Sequence, residues 1–370
     1  MKSKPFDIFL SILKGITANL VKIVPFNHCN KYSNVEKAQN ITLLAIESSC
    51  DDTAAAVLRN GFILSNTIAV QDVHKMYGGV VPELASRAHQ KNIVPVIDIA
   101  LKNANVTLDD IDGIAFTQGP GLMGSLLVGN NFAKGIALAI NKPLIAVNHL
   151  EAHILSPLIE NPSITFPYLC LLVSGGHTQI VKVNSPSIMQ ILGQTMDDAA
   201  GEAFDKAAKI LGLPYPGGPL IDKFAKDGNP LAYKFSIGKV SDLNFSFSGF
   251  KTSVLYFLRD EMLKDATFNE KNVSDICASV QYTIVNYLLL KLKRAVKQTG
   301  INQIALAGGV AANSGLRNNL QALALTENWR VYIPSFEYCT DNAAMIANAG
   351  YYKFLEGKIS SIDIPAYASI

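Results

Sequence analysis

Short apolar runs that end in polar or glycine-rich turns recur along the chain. Ile41–Ile46 runs into the polar turn Glu47-Ser-Ser-Cys-Asp-Asp-Thr53, and the apolar runs Ala54–Leu58 and Phe62–Val70 follow, separated by an Asn-Gly pair. Apolar runs of this length with turn residues on both sides are typical of buried strands, and Asn-Gly favours a tight hairpin. The pattern predicts a strand, a polar turn that directs hydroxyl and N–H groups at one point, and a hairpin.

Glycine turns link further strands to helices. Gly113–Thr117 passes through turn 118–124 into the helix Ser125–Ile140, and Ile304–Ala307 passes through turn 308–315 into another helix. Free N–H groups at such helix starts suit anions and nucleotides. A second strand, turn and strand over 168–183 repeats the architecture of 41–58. We therefore expect a duplicated α/β fold with a ligand between its halves.

The remaining pattern predicts helices and one rigid loop. The loop is Leu213–Leu220, which is rich in Pro and Gly. Further helices are expected over 82–102, 197–211, 273–297 and up to 263, and short strands over 144–147 and 331–334.

Composition limits the class of protein. With 370 residues, 49% hydrophobic and 17% charged, the chain is expected to form two domains with sizeable cores. Residues 1–40 hold six lysines and two acidic residues, so the rest of the chain has a net charge of about −2. No basic arm is present to hold a nucleic acid by charge alone. The five scattered cysteines predict neither a disulfide framework nor a zinc knot.

The first forty residues form a separate segment in this interpretation. The apolar stretch Phe6–Gly15 is interrupted by charge, so we expect neither a membrane span nor a secretory signal. Two alternatives stay open. One is a disordered or surface-docked extension of a cytoplasmic protein, and the other is a targeting segment for the mitochondrial matrix.

Two histidines four residues apart give the strongest chemical signal. On a helix, His149 and His153 share one face and can bind the same metal ion. Asp341, at a predicted helix entry, can supply an oxygen ligand. By spacing alone, a chance pair is as good an interpretation as a metal site.

Eight motifs, in order along residues 41–355, resemble the universal tRNA threonylcarbamoyl transferases, most closely the bacterial and organellar branch. They are Ile46-Glu-Ser-Ser-Cys-Asp-Asp-Thr53, His149-x-x-x-His153, Val173-Ser-Gly-Gly-His-Thr-Gln179, Gly201-Glu-Ala-Phe-Asp205, Pro216-Gly-Gly-Pro219, Phe247-Ser-Gly-Phe-Lys-Thr252, Ala307-Gly-Gly-Val-Ala-Ala-Asn313 and Thr340-Asp-Asn342.

The resemblance implies an α/β fold of two RNase H-like domains of the actin, sugar-kinase and heat-shock-protein (ASKHA) type around a nucleotide cleft. We place the first domain at 41–147 plus 342–370 and the second at 148–341. The implied reaction moves the threonylcarbamoyl group of threonylcarbamoyl-AMP to N6 of the adenosine 3′ of the anticodon, in tRNAs that read codons beginning with A.

The resemblance also implies roles for single residues. His149, His153 and Asp341 would bind one divalent metal per subunit, Fe²⁺ or Zn²⁺, and Asp51 is a candidate for a role near the phosphate or for accepting the amine proton. Expected around the nucleotide are Leu172, Val173, Ser174, Gly175, Gly176, Asp205, Gly218, Asp222 and Asn313. Leu172 stands where archaeal and eukaryotic relatives carry a tyrosine ligand, so their fuller coordination is not expected here.

Implied partners besides tRNA depend on the source of the chain. A bacterial member would work with an inactive paralogue of similar fold and a small P-loop ATPase, and an organellar member would work as a homodimer. No membrane is implied.

Two other enzyme classes compete with this interpretation. A metallopeptidase needs a Glu next to one histidine, but Glu151 lies midway between the two, so it is poorly placed to act as a base. An ASKHA-fold small-molecule kinase or ATPase is the alternative, although it has no need of the histidine pair.

Overall fold

The computed structural model describes residues 40–238 and 240–369, which form two compact units. The first unit comprises residues 40–73, 80–159 and 341–369, and the second comprises 74–79 and 160–340. The first unit thus reaches Ile159, whereas we predicted a boundary after Val147. The predicted extension over residues 1–40 lies, apart from Asn40, outside the described residues.

A five-stranded sheet organises the first unit, in the order β3-β2-β1-β4-β5. Strands β1, β2 and β3 are antiparallel neighbours, whereas β4 runs parallel to β1 and β5 runs parallel to β4. The strands are β1 (Thr42–Glu47), β2 (Thr53–Arg59), β3 (Phe62–Ala69), β4 (Gly113–Gly119) and β5 (Leu144–Asn148).

The second unit repeats this topology, with the order β10-β9-β6-β7-β8. Strands β6, β7 and β8 are antiparallel neighbours, whereas β9 runs parallel to β6 and β10 runs parallel to β9. The predicted duplication is therefore confirmed at the level of strand order. The strands are β6 (Tyr168–Val173), β7 (Thr178–Ser185), β8 (Ile188–Gln194), β9 (Gln303–Ala307) and β10 (Arg330–Tyr332).

Ten α-helices connect and cover these strands in the described part of the chain. They are α1 (Pro82–Asn103), α2 (Met123–Ile140), α3 (His149–Leu155), α4 (Pro157–Glu160), α5 (Ala200–Ile210), α6 (Gly217–Ala225), α7 (Ser248–Met262), α8 (Phe268–Thr299), α9 (Ser314–Glu327) and α10 (Ala343–Leu355).

Each sheet buries its apolar strands under its own helices. In the first unit, Ile46 and Phe116 of the sheet pack in one cluster with Ile97 of α1 and Ala133 of α2. In the second unit, Leu171 and Leu306 pack in one cluster with Leu288 of α8. The central strands β1 and β6 are buried at every position, which explains their continuous apolar runs.

The histidine helix α3 lies in the first unit because it packs against that unit's last helix. The Asn348 side chain of α10 donates a 3.0 Å hydrogen bond to the carbonyl of Leu155 at the end of α3. This contact joins residues 193 positions apart. Local sequence gives no sign of a contact over this separation.

Two elements of the second unit differ from the expectation. Strand β8 was not predicted, because most of its residues are exposed or half-buried at the edge of the sheet and its apolar pattern is weak. Helix α6 begins at Gly217, inside the predicted loop 213–220. The Asp205 side chain accepts hydrogen bonds from the N–H groups of Gly217 and Gly218, so a distant carboxylate stabilises this helix start.

Helices α2 and α8 are long and apolar enough to cross a membrane by length and composition alone. Both supply residues to the unit cores, as Leu126 of α2 and Leu288 of α8 are fully buried. Apolar core helices pass the same test, so this property is weak evidence for a membrane.

A close helix-to-sheet contact at Gly350 of α10 gives a test of the packing. A Cβ at Gly350 would lie 2.6 Å from the Cβ of Ala115 on β4, whereas a Cβ at Gly135 of α2 meets nothing within 4 Å. We predict that Gly350→Ala destabilises the protein by about 1–2 kcal/mol, because overpacking exceeds the gain in helix propensity. The matched change Gly135→Ala should instead raise stability by up to about 1 kcal/mol. Thermal unfolding measures both, and equal shifts would contradict this packing.

Candidate functional site

The two histidines lie at the start of α3, next to a carboxylate from the start of α10. Their rings are 4.7 Å apart between centroids and stand edge to face at 89°. Asp341 Oδ1 lies 3.1 Å from His153 Nε2 and 3.5 Å from His149 Nε2. One ligand atom from each of the three residues lies within 4.8 Å of the others. The three residues predicted as ligands therefore converge within the first unit.

The donor set fits a divalent metal with open coordination positions. Three ligands of the His and carboxylate type leave room for substrate or water, as catalytic zinc and non-haem iron sites require. The Nδ1 atom of His149 lies 3.2 Å from Glu47 Oε2, which leaves Nε2 directed at Asp341. A carboxylate behind a ligand histidine is the usual arrangement in metal sites.

Glu47 is a functional candidate that sequence reasoning missed. It ends β1 and is fully buried, and its carboxylate accepts 2.5 Å hydrogen bonds from the Ser49 N–H and the Thr117 hydroxyl. The Ser49 hydroxyl in turn lies 3.1 Å from His149 Nδ1. Its position in the sequence could have identified it, because it is an acidic residue at the carboxyl end of an apolar run. Burying such a charge is unfavourable unless the charge has partners.

The charges around His149 keep it protonated in the metal-free protein. Burial lowers the pKa of His149, but the negative Asp341 and Glu47 raise it to about 9. Burial raises the pKa of Glu47, and the attraction of His149 more than offsets this, so its pKa lies below the ordinary value. The pKa of Asp341 is likewise held low against its burial by His149 and His153. A divalent metal must therefore displace a proton from this cluster.

The polar turn after β1 carries Asp51, which is half-buried there. Burial, followed by repulsion from Asp51 and Asp341, raises the pKa of the adjacent Asp52 carboxyl to about 7. Buried His89 of α1 holds the same turn, with Nε2 3.0 Å from the Cys50 carbonyl and Nδ1 2.8 Å from the Thr53 hydroxyl. His89, which sequence reasoning did not single out, therefore holds this turn at both Cys50 and Thr53.

A pocket of about 250 Å³ in the second unit collects most of the other predicted residues. Its predicted lining residues are Gly175, Asp205, Gly218, Asp222 and Asn313, and Gly201, Phe204, Pro216, Pro219, Gly309, Val310 and Ala312 complete it.

The polar side chains of this pocket also build its walls. Asp205 Oδ1 accepts from the N–H groups of Gly217 and Gly218 at 2.9 and 3.0 Å. Asp222 Oδ1 accepts from the N–H and the hydroxyl of Ser314 at 3.1 and 2.7 Å. Asn313 caps α9 through the Leu316 N–H at 2.8 Å. Each of these three side chains therefore holds a helix start at the pocket.

Four of the nine residues predicted around the nucleotide do not line this pocket. The side chains of Leu172 and Val173 are fully buried in β6. The Ser174 hydroxyl accepts a 3.0 Å hydrogen bond from the His177 N–H and so stabilises the glycine turn. Gly176 lies in the same turn, next to the lining residue Gly175. These residues shape the strand end and turn that lead to the pocket.

A model of the tRNA N6-adenosine threonylcarbamoyltransferase family matches residues 62–348. The chain is 61% identical over 331 residues to the protein of that name from Christiangramia forsetii, covering 89% of this chain and 97% of the relative. It is 56% identical over 337 residues to the protein of that name from Porphyromonas gingivalis, covering 90% and 99%.

The chain belongs to the tRNA N6-adenosine threonylcarbamoyltransferase family. It is therefore an enzyme of the transferase class that acts in tRNA modification.

Solved structures support the fold. Full-length HypF in its phosphate- and nucleotide-bound form superposes with a TM-score of 0.60 at 16% identity, covering 87% of this chain and 47% of HypF. Component A of the (R)-2-hydroxyglutaryl-CoA dehydratase of Acidaminococcus fermentans superposes with 0.51 at 17% identity, covering 85% and 98%. At these identities the likeness shows the ASKHA-type fold alone, as predicted.

The metallopeptidase interpretation finds no support in the position of Glu151. Its carboxylate lies 3.4 Å from the Lys353 ammonium, and 42% of its side chain is exposed. A peptidase base has to reach a water on the metal. Glu151 instead forms a surface ion pair with α10.

The raised pKa of His149 predicts a pH dependence of stability. Because its folded pKa of about 9 exceeds the ordinary 6.5, protonated His149 contributes its full stability below pH 6.5, and this is lost as pH rises through about 9. We predict that the free energy of unfolding of chelator-treated wild type falls across this range more steeply than that of His149→Gln. Denaturant unfolding at a series of pH values measures it.

Replacing either carboxylate checks the cause. The His149 pKa, followed by NMR of the metal-free protein, should fall in both Asp341→Asn and Glu47→Gln. Parallel stability curves for wild type and His149→Gln would contradict this account.

Proposed function

We propose that the enzyme transfers the threonylcarbamoyl group from threonylcarbamoyl-AMP to N6 of the adenosine 3′ of the anticodon, in tRNAs that read codons beginning with A. The observation that carries the proposal is the convergence of His149, His153 and Asp341 in a member of this family. In the transfer, the adenosine amine attacks the carbamoyl carbonyl, the bond to the phosphate oxygen breaks, and AMP and a proton leave.

The histidine pair and Asp341 are assigned to one divalent metal, Fe²⁺ or Zn²⁺. When bound, the metal supplies a Lewis acid that polarises the carbonyl or stabilises the leaving phosphate. Glu47 orients His149 by holding its Nδ1, at 3.2 Å, so that Nε2 stays available as a ligand. Asp51 is assigned to the region of the phosphate or to the amine proton, and full activity of Asp51→Asn would remove it from the mechanism.

The pocket of the second unit is assigned to the adenylate. Carboxylates such as Asp205 and Asp222 suit ribose hydroxyls, and the Asn313 amide suits the base or its phosphate. Gly175 and Gly218 let backbone N–H groups approach the ligand closely. Leu172, Val173, Ser174 and Gly176 are assigned to the strand end and turn that hold Gly175 in place. The nucleotide cleft expected between the two domains stays a prediction.

Other proteins are proposed to help hold tRNA. The net charge of residues 41–370 is about −2, so charge alone gives little affinity for a polyanion. The relatives from Christiangramia forsetii and Porphyromonas gingivalis favour the bacterial case among the alternatives. In that case the partners are an inactive paralogue of similar fold and a small P-loop ATPase, and the compartment is the cytoplasm. A homodimer and the mitochondrial matrix belong to the organellar case.

One assay tests the proposal. Purified protein is incubated with threonylcarbamoyl-AMP, unmodified tRNA, a divalent metal and candidate partners, and the tRNA nucleosides are analysed. We predict that His149→Ala lowers the transfer rate by about 100-fold or more, since loss of a ligand should exceed the effect of losing its supporting carboxylate. A chelator should do the same to wild type, and added Zn²⁺ or Fe²⁺ should restore it.

Glu151→Gln is the matched control, because it changes the same helix at a half-buried residue whose carboxylate pairs with Lys353 instead of joining the histidine cluster. It should leave transfer unchanged. Steady ATP consumption with a small polyol and no dependence on tRNA would favour the kinase alternative instead. Absence of modified adenosine from wild type with all partners present would contradict the central claim.

A further inference from the structure

The chain after α10 returns to the region of the histidine helix. At Ser360 it pairs with β5, because the Ser360 N–H donates to the Leu144 carbonyl at 2.8 Å and its hydroxyl accepts from the Ala146 N–H at 2.9 Å. The Lys134 ammonium then donates to the Ile364 carbonyl at 2.6 Å. These bonds direct the following residues toward the turn after β4.

Residues Pro365–Ala368, here called the strap, lie along that glycine turn. The Gln118 amide donates to the Pro365 carbonyl at 2.8 Å, and the Gln118 carbonyl accepts from the Tyr367 N–H at 3.3 Å. The Gly121 N–H donates to the Ala368 carbonyl at 3.1 Å. Three hydrogen bonds therefore join the strap to Gln118 at the end of β4 and to Gly121 in the turn that follows.

Two glycines make this close approach feasible. A Cβ at Gly119, whose φ is +155°, would lie 2.2 Å from the Tyr367 carbonyl oxygen. A Cβ at Gly121 would lie 2.4 Å from the Ser49 carbonyl oxygen, and the Leu122 N–H donates to that oxygen at 2.7 Å. The turn is thus held between the strap and Ser49, whose hydroxyl contacts His149 Nδ1 at 3.1 Å.

The strap also reaches His149 by a second route. The Tyr367 hydroxyl accepts a 2.8 Å hydrogen bond from the Asn148 side-chain amide. Asn148 caps α3, because its Oδ1 accepts from the N–H groups of Leu150 and Glu151 at 2.9 and 3.0 Å. His149 is the first residue of the helix that begins at this cap. The Asn148 side chain therefore joins Tyr367 to the helix start, with its amide nitrogen on Tyr367 and its oxygen on the cap.

We propose that the strap positions His149 for metal binding, through Tyr367 and Asn148 on one route and through the glycine turn and Ser49 on the other. This inference rests on the proposed metal site of the first unit. Tyr367 acts only through Asn148 and is a positioning residue. Loss of its hydroxyl leaves the cap amide without this partner and loosens the start of α3, whereas the contact between His153 and Asp341 is unaffected.

The test measures the binding of Zn²⁺ alone to chelator-treated protein. We predict that Tyr367→Phe weakens Zn²⁺ affinity by up to about 10-fold, the lower end of the effect of losing a direct partner of a metal ligand, because Tyr367 acts on His149 only through Asn148. Transfer at limiting Zn²⁺ should fall in parallel and recover at saturating Zn²⁺, while KM for threonylcarbamoyl-AMP stays unchanged. Because bound metal also stabilises the folded state, this recovery supports a positioning role when thermal unfolding shows the metal-free variant to be folded at the assay temperature. A chain that ends at Ile364 should show a larger loss of affinity.

Two controls isolate the hydrogen bond. Tyr332→Phe removes a hydroxyl that donates to Gln303 in the second unit, so it should not change Zn²⁺ affinity. Asn148→Ser keeps a capping oxygen but removes the amide that donates to Tyr367. The double variant Asn148→Ser with Tyr367→Phe should therefore lose no more Zn²⁺ affinity than the weaker-binding single variant.

The two possible failures are distinguishable. If wild type binds Zn²⁺ and both Tyr367→Phe and the shortened chain bind it equally well, the strap has no role and the inference is overturned. Wild type that binds neither Zn²⁺ nor Fe²⁺ would overturn the metal site itself, and this inference with it. Thermal unfolding of each variant identifies any general loss of folding.

Discussion

The first unit depends on a buried cluster in which His149 lies between two carboxylates, Glu47 and Asp341. Placing Glu47 fully inside a protein costs several kcal/mol unless the charge has partners. Its partners are His149, the Ser49 N–H and the Thr117 hydroxyl. Together with Glu47 they come from three segments of the chain, so the cluster holds β1 and the turn after it, β4 and the start of α3 together.

The charges of this cluster also favour the binding of the proposed metal there. In the metal-free protein, the proton on His149 partly balances the charges of Glu47 and Asp341. A divalent metal that displaces this proton supplies the missing positive charge and leaves the cluster neutral in total. The raised pKa of His149 is thus a sign of a field that attracts any cation, with the proton and the metal as competitors. Metal affinity should therefore weaken as pH falls below about 9.

The sequence predicted the elements that their own residues determine, and it missed those that depend on residues distant in the chain. Strands β1 and β6 are buried throughout, so their apolar runs identified them directly. Strand β8 lies at a sheet edge, and the start of α6 is held by Asp205 from twelve positions away, so neither left a clear local pattern. His149 and His153 were paired from sequence because they share one helix, and the structure brings Asp341 beside them. Glu47 was missed because its role appears only where β1 meets His149.

In the second unit, single polar side chains also have more than one role. Asp205, Asp222 and Asn313 each satisfy free N–H groups at a helix start and also line the pocket. An aspartate that accepts two N–H groups through one oxygen keeps the other oxygen for a ligand. Replacing such a residue therefore removes a support of the helix start together with the proposed ligand contact, and loss of binding in a variant is informative only beside its stability. The same caution applies to His149, because its loss leaves the buried Glu47 without its charged partner, so the activity of a His149 variant also has to be judged beside its stability.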